Sequence, residues 1–248
     1  MRDLNKIVTE ELGDLFIKIY LIGFEMQGES CIFLIYSKKP KRKLIYSIVM
    51  DCYKDSEINE IEEICKDELG QEKLDMLVWS HPHDDHTVGL DEIIKKYCDE
   101  QTKIILANIL DNNRVVMSGT CKELAEYISK LNFGKKKKKF NINSMVNYNQ
   151  TIQEVIFSKS SNVIKGIEIR CIAPIADIIA KQPSLKEENI NLFSVGLLIV
   201  IDIDDKKMNF LLSGDMVNEV FNEIAEVQEY DEIPNTYNYV KIPHHGGK

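Results

Sequence analysis

Short runs of β-branched and aromatic residues at 15–22, 31–36 and 44–50 predict three strands. Turn signals at Gly23, at Gln27-Gly28 and across the basic stretch 38–43 separate them, so they are expected to pair antiparallel. Apolar residues at helical spacing in 57–69 (Ile58, Ile61, Ile64, Cys65) predict a helix that stops before Gly70. Next come a buried strand over 74–79, ending at Ser80, a helix over 90–97, a strand over 103–107 and a helix over 121–131. In the second half, 154–157, 167–172, 195–203 and 208–212 read as strands, 216–227 as a helix and 239–242 as a last short strand. Each half gives strands followed by helices. That order predicts an α/β protein in four layers, an αββα sandwich of two mixed sheets flanked by helices, rather than one parallel sheet. No linker divides the chain, so 1–248 reads as a single domain, with 131–150 as a polar, Lys-rich loop within it.

Composition narrows the function. A net charge of -9 excludes a generally cationic nucleic-acid coat, so an anionic substrate would need a local basic patch or a metal. The longest apolar run, 195–203, falls well short of the roughly 18 residues of a membrane span. The first residues, Met1-Arg2-Asp3-Leu4-Asn5-Lys6, lack the apolar stretch of a signal peptide, and a cytoplasmic protein with no membrane partner is expected. Cys31, Cys52, Cys65, Cys98, Cys121 and Cys171 are scattered singly, which reads as reduced, buried thiols.

The five histidines fall in two places only, His81, His83 and His86, then His244 and His245. Filler histidines would scatter; clustering at short spacing points to a metal site, because neutral imidazole is the commonest protein ligand for zinc-like ions. In an extended segment, residues two apart point the same way, so His81 and His83 can grip one ion. Asp85 and His86 follow where the chain turns towards the next helix and can face a second ion. Two such ions can share a bridging hydroxide, a strong nucleophile at neutral pH. A structural zinc site would usually close with cysteines, and none lies near this loop. Asp215 ends a strand after Leu212-Ser213-Gly214, where its carboxylate could bridge both ions. His244 and His245 follow Ile242-Pro243; neighbours on a strand point apart, so one is expected to ligate metal and the other to face the substrate as an acid or hydrogen-bond donor.

These strings resemble the metallo-β-lactamase-fold hydrolase superfamily, and within it the branch typified by the hydrolase domain of the DNA-uptake protein ComEC. Ser80-His81-Pro82-His83-Asp84-Asp85-His86-Thr87-Val88-Gly89-Leu90 matches the superfamily signature. Gly28-Glu29-Ser30, Val49-Met50-Asp51-Cys52, Asn191-Leu192-Phe193-Ser194, Leu212-Ser213-Gly214-Asp215 and Lys241-Ile242-Pro243-His244-His245-Gly246 follow in the branch's order. The resemblance implies the metallo-β-lactamase fold, two divalent metal ions, and outer-shell roles for Asp51, Asn191 and Ser194. It departs in three respects. No histidine lies between His86 and His244, so the first site is poorer in nitrogen and open to water or Asn191, which leaves manganese beside zinc as candidate metals. Gly247 stands where the branch usually has Ser. The chain also stops at Lys248, where the family continues with further strand and helix; the expectation is the N-terminal part of a longer polypeptide, its hydrolase domain an effector fused to or associated with other modules.

Among the remaining residues, Trp79, Cys52 and Cys171 are expected in the core, and Asp84 facing solvent or behind the ligands. Lys135, Lys136, Lys137, Lys138 and Lys139 form either a solvated loop or a phosphate clamp. The leading expectation is a dinuclear metal-dependent hydrolase of a phosphodiester, a nuclease or phosphodiesterase acting on nucleic acid or a nucleotide-like molecule. Asp85 would orient the nucleophile or shuttle its proton, and His244 or His245 would protonate the leaving group. The alternatives are hydrolysis of a carboxylic ester, lactone, thioester or β-lactam, and a metal-bound interaction module without turnover.

Overall fold

The computed structural model describes residues 5–8, 14–24, 27–38, 41–55, 59–107, 115–133, 140–145, 148–159, 162–181, 187–203, 206–227 and 233–243. The first sheet orders its strands β2 (Leu15–Phe24), β3 (Gln27–Ser37), β4 (Lys43–Met50), β5 (Met76–Trp79), β6 (Lys103–Ala107) and β7 (Asn141–Met145). Its first three strands pair antiparallel and β4 to β7 pair parallel. The second sheet runs β1 (Asn5–Val8), β8 (Gln150–Lys159), β9 (Asn162–Ala173), β10 (Gly196–Ile203), β11 (Lys206–Leu212) and β12 (Tyr239–Val240). The helices are α1 (Glu60–Leu69), α2 (Leu90–Tyr97), α3 (Gly119–Phe133), α4 (Ala176–Ala180) and α5 (Asn218–Val227).

Strand alternation explains the layers. On β10, Leu197, Ile199 and Ile201 face the first sheet and share its core, and Phe33 meets Phe210 edge-on across the interface at 5.2 Å between ring centroids. Leu198 and Val200, one residue out of phase, turn to the other side and pack with Ile178 of α4 and Val220 and Ile224 of α5. The central strands of the first sheet are buried on both faces, β5 and β6 completely, and α1, α2 and α3 contribute Ile61, Ile93, Leu124 and Ile128 to the same core. The architecture is therefore an αββα sandwich of two mixed sheets, each of six strands among the described residues. All six cysteines are free and buried. Among the described residues, no helix is long and apolar enough to cross a membrane.

Several bounds differ from expectation for local reasons. α1 begins at Glu60 because Asn59 caps it, its side chain accepting from the Glu62 N–H. β5 begins at Met76 because Asp75 is drawn into a reciprocal pair with Ser47, accepting from the Ser47 N–H while its own N–H donates to Ser47 Oγ. The stretch 131–150 is not one loop: α3 runs to Phe133, and β7 adds a parallel edge strand to β6 in register Lys103↔Asn141 through Ala107↔Met145. Ile142 of β7 packs on the core, but Asn141, Asn143 and Ser144 beside it give the strand no apolar alternation to announce it. β1, α4 and the 3-10 turn Glu187–Phe193 are likewise additional to the expected elements.

Candidate metal centre

The histidine loop leaves β5 at Ser80, and its backbone is fixed from both sides. Trp79, fully buried, donates its indole N–H to Thr87 Oγ1 at 3.0 Å, and Thr87 donates to the His83 carbonyl at 2.5 Å. Asp84 accepts from Ser118 Oγ at 2.5 Å, which ties the loop to the start of α3, since Ser118 also accepts from the Cys121 N–H. Opposite, β11 gives way after Leu212 to Ser213-Gly214-Asp215. Gly214 has φ +53°, and a Cβ there would lie 2.8 Å from the Cβ of Ser80, so the two sheets meet at this point only because the residue is glycine.

Among the described residues, His81, His86 and Asp215, all buried, each offer a donor atom within 4.8 Å of the others. Two groups can be distinguished. His81 Nε2 faces His83 Nδ1 at 3.1 Å. His86 Nε2 lies 3.4 Å from Asp215 Oδ2 and 3.8 Å from Asp85 Oδ2. Ligand bonds of roughly 2.0–2.1 Å in a tetrahedron place donors about 3.4 Å apart; the His86–Asp215 pair stands at that spacing, the His81–His83 pair is closer and the His86–Asp85 pair wider. Nitrogen and carboxylate donors at that spacing fit divalent zinc or manganese.

Asp51 organises the rear of the site. It stands at φ +62°, a left-handed conformation uncommon outside glycine and asparagine, at the end of β4. Oδ1 accepts the Ser80 N–H at 2.7 Å, and Oδ2 accepts both the Ser80 hydroxyl at 2.6 Å and His86 Nδ1 at 2.9 Å. With the Ser80 proton directed at Asp51, Ser80 Oγ is left to accept from His81 Nδ1, 2.9 Å away. Both imidazoles therefore hold their hydrogen at the back and turn Nε2 inward, the arrangement by which second-shell oxygens orient metal ligands.

Electrostatics follow from this wiring. Burial, then the neighbouring His86 and His83, push the His81 pKa well below its ordinary value, keeping it neutral. Burial also opposes charge on His86, but Asp51 and Asp215 outweigh it and raise its pKa to about 10. For Asp215, burial works against ionisation and is overridden chiefly by the hydrogen bond and charge of His86, with Lys241 adding to them, which hold its carboxyl well below the usual carboxylate range. In the metal-free protein, a proton on His86 thus sits between two carboxylates, where a cation could replace it.

The structure brings together His81, His83, Asp85, His86 and Asp215, with Asp51 behind them. Ser194 accepts the Asp215 N–H at 3.2 Å, and Asn191 contributes its carbonyl to the Ser194 N–H at 3.0 Å. His244, His245 and Lys135, Lys136, Lys137, Lys138 and Lys139 lie outside the described residues. Three further residues line the rear of the centre without a role assigned from the sequence: Ser80, Lys241 and Glu29, all buried. All three stand within the motif strings, but the contacts of Ser80 with Asp51 and of Lys241 with Glu29 and Asp215 join residues far apart in the chain.

No protein-family profile matches the sequence, and no curated protein does. Solved structures do resemble it. The subclass B3 metallo-beta-lactamase MEM-A1 from a soil metagenome library is 11% identical, with TM-score 0.46 over 98% of this chain and 81% of that one. The metallo-beta-lactamase GOB-18 from Elizabethkingia meningoseptica is 14% identical, with TM-score 0.42 over 94% and 73%. The metallo-beta-lactamase fold protein YhfI from Bacillus subtilis is 15% identical, with TM-score 0.41 over 83% and 65%. Likeness of this degree concerns the arrangement of sheets and helices and says nothing of substrate.

Proposed function

We propose that this chain is a dinuclear metal-dependent hydrolase acting on a phosphodiester, of nucleic acid or of a nucleotide-like molecule. The observation that carries the hydrolase reading is the pair of adjoining donor groups at the strand ends, with Asp51 and Ser80 fixing the rear nitrogens of His86 and His81. His81 and His83 would hold one divalent ion, and His86, Asp85 and Asp215 the other. Ions held there would polarise the scissile ester and make water nucleophilic at neutral pH.

The chain's own groups divide the remaining work. Asp85 keeps 35% of its side chain exposed, so it sits on the open side, placed to orient the attacking water and take its proton. Asp215, buried behind it, presents Oδ2 to the centre. His244 and His245 would complete the first group and protonate the leaving oxygen. The phosphodiester preference is supported by the order of motifs from Gly28-Glu29-Ser30 to Ile242-Pro243-His244-His245-Gly246 and by the lysine run 135–139.

The test is a panel of linear and circular DNA, RNA, cyclic dinucleotides, a chromogenic phosphodiester, simple esters and a β-lactam, each with manganese, zinc and magnesium. Metal-dependent cleavage of phosphodiesters is expected, with close to two ions per chain by elemental analysis. A His81→Ala plus His83→Ala variant should lose activity and at least one ion. Equal metal content in wild type and variant would sink the metal centre; turnover of esters or the β-lactam alone would replace the phosphodiester with a carboxylic substrate.

A further inference from the structure

Behind Asp215 lies a buried ion cluster that the hydrolytic scheme does not use. Lys241 follows β12 and is only 2% exposed. Its Nζ donates to the Gly214 carbonyl at 2.7 Å, lies 2.9 Å from Glu29 Oε2 and 3.7 Å from Asp215 Oδ1. Glu29, itself buried, lies in β3 of the first sheet, while Lys241 and Asp215 follow strands β12 and β11 of the second. A buried ammonium is costly compared with an apolar side chain of the same length, so its retention between two carboxylates calls for a role beyond filling space.

The division of Asp215 supplies one. Oδ2 faces His86 Nε2 and the donor cluster, while Oδ1 faces the ammonium. Held this way, the carboxylate can offer the centre one oxygen; swinging both oxygens onto an ion would strip Lys241 of one of its two carboxylate neighbours. We infer that Lys241 is a positioning residue that restrains Asp215 to single-oxygen ligation, keeping a coordination position open and the ions from being held too tightly. An open position separates catalytic from structural metal sites. Glu29 anchors the ammonium from the opposite sheet, so the restraint spans the sheet interface. The inference rests on the metal-centre reading above.

Its signature is opposite to that of a lysine which merely supports the fold. The variants are Lys241→Met, Lys241→Arg, and Lys241→Met with Glu29→Gln, the last removing the buried charge of Glu29 together with that of Lys241. Each is loaded with cobalt(II), the visible spectrum is recorded, and release to a chelator is timed. Both Met-containing variants should still take up two ions. They should release the ion slower by at least tenfold and show weaker visible bands as the coordination number rises, with turnover of the chromogenic phosphodiester lowered. Lys241→Arg should recover much of the wild-type spectrum. A double variant with wild-type spectrum and release, or with faster release, overturns the inference while leaving the metal centre standing. Failure of the wild type to take up cobalt removes both.

Discussion

Replacing Asp51 tests whether the site depends on the orientation of its imidazoles. In Asp51→Asn, the backbone should remain in place, because asparagine tolerates the left-handed conformation better than other residues with a side chain. One oxygen can still accept the Ser80 N–H, but the second position becomes an NH2 facing two donors, the Ser80 hydroxyl and His86 Nδ1. His86 must then rotate or change tautomer, and the Ser80 hydroxyl no longer directs its acceptor side at His81. Losing a second-shell partner of this kind typically costs about 10–100-fold in metal affinity. Here one carboxylate wires two histidines, so the upper part of that range is expected. Asp51→Ala should go further: three hydrogen bonds to buried groups vanish, at about 1–3 kcal/mol for each donor left unsatisfied, and a destabilisation of roughly 3 kcal/mol at the least follows. Competition with a chelating dye measures the affinity, and urea unfolding of metal-free protein separates stability from binding. If Asp51→Asn binds both ions within threefold of wild type, the wiring of His81 and His86 through Asp51 has no bearing on metal binding, and the reasoning fails.

Two further expectations use other parts of the molecule. Glu68 receives hydrogen bonds from Tyr20, Tyr36, Lys18 and Arg42; burial opposes its charge, but Lys18, Tyr20 and Tyr36 lower its pKa from 4.5 to about 2. The folded value is depressed, so its contribution is present above about pH 4.5 and is lost as pH falls towards 2: Glu68→Gln should cost about 1–2 kcal/mol at pH 7 after discounting for exposed Lys18 and Arg42, and the gap to wild type in urea melts should shrink by pH 3. A pH-independent gap would show that packing, not charge, holds the end of α1. Removing divalent metal with a chelator should lower the melting temperature by about 5–10 °C, since ligand at a hundred times Kd stabilises by about 2.7 kcal/mol and each kcal/mol moves a domain of this size by about 2–4 °C; an unchanged melt after proven metal loss would mean that the ions do not bind the folded site.

How much of this can be read in the sequence depends on whether the physics is local. Helix α2 and strand β6 match their expected bounds because periodicity, Gly89 at one end and full burial at the other are all local signals. The string from His81 to His86 is equally plain, since spacing alone places four donors in six residues. Asp215 is different: a Gly-Asp step after a strand is an ordinary turn, and it becomes a donor only through its approach to His86 across the sheets. β7 is hidden because Asn141, Asn143 and Ser144 give it no apolar face to advertise. Lys241 is hidden for the converse reason. A lysine after a short strand reads as solvated, and nothing near it in the chain foretells Glu29 and Asp215 as neighbours.

The assembly of the centre is therefore a matter of strand register. Met50 pairs with Val78 in the parallel ladder, which brings Asp51 within reach of Ser80, and the Asp51 N–H closes on the Val78 carbonyl at 2.8 Å. Leu197 pairs with Leu212, which fixes where β11 ends and hence where Asp215 projects. A slip of one residue in either ladder would displace a carboxylate by about 3.4 Å and turn it to the opposite face. No adjustment of side-chain torsion could recover that loss within a cluster whose donors span only 4.8 Å. The two ladders are themselves locked together at this end. The Val195 N–H donates to the Ser80 carbonyl at 2.9 Å, Gly214 packs against Ser80, and Lys241 joins Glu29 across the gap. Each lock involves either Ser80 or a neighbour of Asp215. The contacts that dock the sheets and those that aim the ligands are therefore largely the same, and a variant that loosens one should loosen the other.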